Sequence, residues 1–144
     1  MMRKLKSCSG QSTVEFAITF PALMIVAVIA INACLFLGDC AAFDRVARQS
    51  VRVVATSPAY GQSVGMSISQ IQSMLDVSFD RSNLQSSVSA NGTSEGFVTF
   101  TATLDFSPTL FGLGLKQEVF GVALPHLSHS VDMTVSTYKP GVFM

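Results

Sequence analysis

The feature that most constrains this chain is a long apolar run that begins at an acid. From Phe16 to Gly38 no side chain ionises except the thiol of Cys34. At about 1.5 Å of rise per residue, a helix over this run can cross a hydrocarbon core of roughly 30 Å. Glu15 stands at its upstream edge, behind a short basic head of Arg3, Lys4 and Lys6. A carboxylate entering a bilayer is expensive, so Glu15 needs a partner or a task. Positive charge is retained on the cytoplasmic side, which predicts the N-terminus inside and the C-terminus outside.

Two other readings of the same run are weaker. A secretory signal peptide has an apolar region of about 7–15 residues, shorter than this one and without an acid at its start. Ile31-Asn32-Ala33-Cys34 has the outline of a lipoprotein cleavage box, but Asn32 fits it poorly and the preceding apolar run is long.

The joint between head and run reads Gly10-Gln11-Ser12-Thr13-Val14-Glu15-Phe16-Ala17, with Pro21 following. This resembles a type IV prepilin signal, in the version carried by the TadE-like minor pilins and pseudopilins of tight-adherence (Flp) pili. The resemblance covers roughly the first third of the chain. It implies cleavage between Gly10 and Gln11 by a prepilin peptidase, with the apolar helix kept on the mature protein. It also implies that Glu15, with Phe16 and Pro21, serves processing and assembly. In that setting the Glu15 carboxylate pairs with the new amine of Gln11, on its own chain or on a neighbouring subunit. The implied partners are the peptidase, other pilin and minor pilin subunits, and cytoplasmic membrane lipids. The implied place is the bacterial cytoplasmic membrane, crossed once, or the pilus and cell surface.

The resulting organisation is a leader over 1–10, a transmembrane helix over 11–38 and an extracytoplasmic domain over 39–144. About a hundred residues outside the membrane can bury one small core. Hydrophobic residues make up 49% of the 144 and charged ones 12%, with zero formal net charge, so nucleic-acid binding has no electrostatic support. Cys8 leaves with the leader on cleavage. Cys34 and Cys40 fall on different faces of one predicted helix, which disfavours a bridge within the chain and leaves Cys40 open to one between chains.

The predicted helix runs from Ser12 to about Ala55, with Ser12 or Thr13 as its cap and Glu15 near the favourable end of its dipole. Pro21 within it is a tolerated kink or a functional bend. Asn32 is the strongly polar group of the span, read either as a hydrogen-bonding group for helix packing against a partner or as a residue at the membrane edge. Beyond Gly38 the helix turns amphipathic. Phe43, Val46, Ala47, Val53 and Val54 form an apolar side, while Asp44, Arg45, Arg48 and Arg52 form a solvated one, with Asp44 and Arg48 spaced to pair.

Ser57-Pro58-Ala59-Tyr60-Gly61 breaks the helix. Residues 67–75 predict a second helix whose apolar stripe is Met66, Ile68, Ile71, Met74 and Leu75, the methionines as core filler. The period then changes to two. Leu84, Ser86, Val88 and Ala90 alternate with polar residues and Asn91-Gly92 begins a turn. Val98, Phe100, Ala102, Leu104 and Phe106 give the clearest strand, predicting a hairpin of 84–90 with 97–106. Residues 118–124 are a short strand or a helical turn. Leu127, Val131, Met133 and Val135 mark a last strand. The apolar, glycine-spaced stretch Thr109–Leu115 either folds under the sheet or makes a contact with another subunit or the membrane surface. The fold class is therefore α+β: a pilin-like long N-terminal helix, half in the membrane and half amphipathic, packed on a small antiparallel sheet.

No Walker loop, paired-cysteine motif or nucleophile elbow is present, so neither an enzyme nor a small-molecule substrate, cofactor or metal is expected. His126 and His129 are three apart and form no recognisable metal motif. Asn91-Gly92-Thr93 fits a glycosylation sequon and reads better as turn chemistry. The function expected is that of a minor pilin or pseudopilin in tight-adherence pilus assembly. The alternatives are a membrane-anchored extracytoplasmic binding protein or lipoprotein, and a type II secretion pseudopilin, from whose usual start Gln11-Ser12 departs.

Overall fold

A computed structural model describes residues 9–56, 62–92, 96–110, 118–119 and 121–136. The leader residues 1–8, the helix break at 57–61, Thr93 of the sequon and residues 111–115 of the apolar stretch lie outside the described residues. The long helix, α1, spans Ser9–Ala55 and measures about 70 Å by its rise per residue. It begins before the predicted cap, so Ser12 and Thr13 lie within it, and no acid falls in its first turn. Glu15 therefore sits in the second turn of the uncleaved chain, where the dipole term is weaker.

The second helix, α2, spans Val64–Ser78, longer at both ends than its apolar stripe suggested. Ser63 caps it by accepting a hydrogen bond from the Met66 backbone N–H at 3.3 Å. At the other end the N–H of Phe79 bonds to the Leu75 carbonyl at 2.8 Å. The buried residues of α2 are Ser67, Ile71 and Leu75. Met66 and Met74 are exposed, contrary to their expected place in the core. Met74 instead lines a surface groove between the two helices with Val46, Val53 and Val77.

Three long strands follow the predicted alternation: β1 (Leu84–Gly92), β2 (Phe97–Phe106) and, after a short hairpin, β5 (Leu127–Ser136). They form an antiparallel sheet in the order β1-β2-β5. Register runs from Leu84 opposite Phe106 in one pair and from Phe106 opposite Leu127 in the other. The ambiguous stretch near 118–124 is a hairpin of β3 (Glu118–Val119) and β4 (Val122–Ala123). Gly121 takes the positive φ (79°) of its turn, a conformation that costs glycine little.

The inward face of β2 supplies Val98, Phe100, Ala102, Leu104 and Phe106, all buried against α1 and α2. The outer half of α1 answers with Phe43, Ala47, Val51, Val54 and Ala55. Val53, expected on this face, is 61% exposed and Val51 takes its place at 2%. The Phe43 and Phe79 rings meet edge-on at 5.5 Å, and the Phe36 ring lies 5.6 Å from that of Phe106. The fold is thus two helices on one face of a three-stranded sheet. The opposite face is a ladder of hydroxyls and acids, including Thr99 against Thr134 and Thr101 donating to Asp132.

Candidate functional site on the long helix

The predicted site residues all lie on α1, and the structure separates them into two levels. Gly10 is exposed, and a side chain built on it would meet nothing within 4 Å. Its backbone and that of Gln11 are helical; the Gln11 side chain lies outside the described residues. A protease that reads an extended segment must unwind this first turn. Helix ends fray, and glycine lowers helix propensity by about 1 kcal/mol relative to alanine, so the joint is a cheap place to open.

Glu15 and Phe16 are exposed one turn further on. The Phe16 ring packs on Phe20 at 5.6 Å. Thr19 donates its hydroxyl to the Glu15 carbonyl at 2.8 Å, tucking a polar side chain against its own backbone. The helix continues through Pro21, which has no N–H to offer the Ala17 carbonyl. Around these residues Val14, Ile18, Leu23, Val26, Ile29, Ile31, Leu35 and Leu37 point outward and exposed. Only 11% of the most apolar 18-residue window is buried. The core helix of a water-soluble domain would be mostly covered, so this surface requires lipid or protein around it.

Asn32 behaves differently from either sequence reading. It is 5% exposed, and its amide grips the backbone of Thr109 within the same chain. Nδ2 donates to the Thr109 carbonyl at 2.8 Å, and Oδ1 accepts from the Thr109 N–H at 2.9 Å. Nδ2 also donates to the Val28 carbonyl at 2.8 Å. One side chain thereby satisfies both main-chain polar groups of a residue 77 positions away. Beside it Val28 and Leu124 are buried together, with Ile25 and Leu110 packed against them. Thr109, Leu110 and Leu124, in the described parts of the connection between β2 and β5, therefore meet α1 below the Gly38 boundary that the sequence suggested for the domain.

At the upper level the charges found partners that spacing did not show. Asp39, buried, accepts from the Arg81 guanidinium at 2.5 Å. Asp44 takes His129 Nε2 at 2.7 Å, from the inward face of β5, and not Arg48 as the four-residue spacing suggested. Arg45, Arg48 and Arg52 are exposed. Cys34 is exposed and Cys40 half-buried, both as free thiols. Burial, then the nearby carboxylates of Asp44 and Asp39, push the Cys40 thiol up, which suppresses the thiolate that disulfide exchange requires.

The comparison with protein families falls on this helix. Residues 10–52 match the TadE-like protein family. Comparison with curated proteins and with solved structures gives no match. The TadE-like segment opens at Gly10, where the resemblance places cleavage. It takes in the exposed apolar stretch, the Asn32 clasp and most of the amphipathic half. The α2 helix and the sheet lie beyond it.

Proposed function

We propose that the protein is a minor pilin or pseudopilin subunit that takes part in assembling a tight-adherence pilus. On this reading prepilin peptidase cleaves after Gly10, and the mature chain is held in the cytoplasmic membrane with its α+β domain outside. Its role is structural and not enzymatic. The observation that carries the reading is the coincidence of two things on one helix. The TadE-like match covers 10–52, and within it the side chains from Val14 to Leu37 leave a continuous apolar surface exposed. Such a surface suits first lipid and then neighbouring helices of an assembling fibre.

Glu15 is the residue on which the proposed assembly turns. Cleavage gives Gln11 a free amine, positive near neutral pH unless the glutamine cyclises. The carboxylate one turn away can pair with that amine or with the amine of an incoming subunit. At a low-dielectric edge, losing one partner leaves the other charge uncompensated. The experiment is Glu15→Ala in cells that carry the rest of the pilus machinery. The expected result is a protein made, inserted and cleaved, but lost from pili and from co-purification with partner subunits. Normal pili and normal co-purification would reduce Glu15 to a helix-start residue. Intact-mass analysis of membrane-extracted protein tests the processing step, with Gln11 or its cyclised form expected at the N-terminus.

A further inference from the structure

We infer that the foot of the outer domain, where Leu110 and Leu124 pack on Ile25 and Val28, is seated among lipid acyl chains of the outer leaflet. The inference rests on the membrane-anchored part of the reading above and not on a pilus. Its basis is the level at which the chain touches α1. The bottom of the sheet meets the helix at Phe36, through Phe106. The connection then runs further down, to Asn32 through Thr109 and to Val28 through Leu124. Counted from Phe16, the first residue past the acid, a hydrocarbon layer of about 30 Å takes about 20 residues and ends near Leu35. Ile25 and Val28 lie about 10–15 Å inside that end.

Non-helical backbone at such depth is tolerated only where its polar groups are satisfied within the protein. That condition is met at Thr109. Its N–H and C=O both close on the Asn32 amide, and the residue is 7% exposed. Pro108, which precedes it and is buried, brings no N–H at all. Because Thr109 is buried, its polar groups depend on this clasp, and the clasp lets the connection enter an apolar layer without carrying unmet backbone into it. The side chains that accompany it, Leu110 and Leu124, are apolar and packed on apolar helix. Among the described residues, the titratable groups on this connection are Glu118 and His126. Both are exposed on the protein surface, so neither is buried under the foot; each has to lie at the level of the lipid headgroups or above, and they bound how far it sinks.

The chain contains no tryptophan, so one introduced indole reports its own surroundings. The full-length protein is reconstituted in phosphatidylcholine and phosphatidylglycerol vesicles whose acyl chains carry bromine, a contact quencher. Leu110→Trp probes the foot. Val26→Trp, on the exposed face of the membrane stretch, is the reference inside the bilayer. Thr101→Trp, on the hydroxyl face of the sheet, is the reference in water. The expected result is a loss of Leu110→Trp emission comparable to that of Val26→Trp, with Thr101→Trp unaffected. Quenching of Leu110→Trp no stronger than that of Thr101→Trp, while Val26→Trp is quenched, overturns the foot and leaves the anchor standing. An unquenched Val26→Trp overturns both. If Leu110→Trp loses strand content by circular dichroism, Val122→Trp replaces it, because Val122 is exposed on the same connection; the same outcomes apply.

Discussion

Below Leu37, α1 leaves apolar side chains such as Ile18, Leu23, Val26 and Leu37 uncovered; above Asp39 the same helix buries Phe43, Ala47, Val51 and Val54. Both halves are rich in apolar residues, yet they hold the rest of the chain by different means. The upper half is fastened by a broad apolar core shared with α2 and the sheet. The lower half is fastened at a narrower place, by one amide and a small cluster around Val28. Broad burial is non-directional and sums over many contacts. A single amide clasp is directional, and its value lies in the cost of leaving its partners unmet. The comparison predicts that damage to the upper half unfolds the domain, whereas damage to the lower half frees one connection.

The largest effect is expected from Phe100→Asp, which places a charge on the fully packed inner face of β2. An ionised carboxylate buried without a partner is intolerable. Circular dichroism of the full-length protein in detergent should lose its strand contribution and its cooperative thermal transition. Retention of both would mean that the upper half is not held by its apolar core.

Asn32→Leu comes next, since it keeps the helix apolar but removes the side-chain hydrogen bonds to the N–H and C=O of Thr109. An unsatisfied buried polar group costs about 1–3 kcal/mol. Hydrogen exchange should rise at Thr109 and its neighbours while β2 stays protected. Equal acceleration in both places would show that clasp and core are one unit.

A smaller change is expected from Asp44→Ala. Its pair with His129 is partly solvated on both sides, so the loss should stay under about 1 kcal/mol in chemical denaturation. The smallest belongs to Val53→Asp, within about 0.5 kcal/mol, because that side chain faces away from the core. A large destabilisation there would return Val53 to the buried face.

Much of this architecture was legible from short-range pattern. The alternation from Val98 to Phe106 gave β2, its inward face and its hairpin with β1, but not its central place between β1 and β5. The apolar run gave the uncovered half of α1, and Gly10 to Glu15 pointed to the TadE-like family that residues 10–52 match. Other features escaped for identifiable reasons. At about 100° per residue, Val51 and Val53 lie about 80° to either side of Phe43. Periodicity cannot say which flank the sheet will cover, and the sheet covers the Val51 side. Met66 and Met74 match the helical spacing of α2, but α2 buries a narrow face through Ser67, Ile71 and Leu75. The polar contacts were out of reach altogether, because their partners lie far along the chain: 42 positions for Asp39 with Arg81, 77 for Asn32 with Thr109 and 85 for Asp44 with His129. A sequence shows that Asn32 in an apolar run must have an acceptor and a donor nearby. It does not show which distant residue brings them.

That separation also sets an order of events during biogenesis. Asn32 leaves the ribosome 77 residues before Thr109. At 5–20 residues per second, the interval is roughly 4–15 s. For that time the helix carries an amide whose final partner has not been made. The Val28 carbonyl, one turn back on the same helix, is already in place to take one of its protons at 2.8 Å. The clasp closes only after about two-thirds of the residues beyond Gly38 have been made, so it acts as a late latch. A chain truncated anywhere before Thr109 would carry the same helix and never latch.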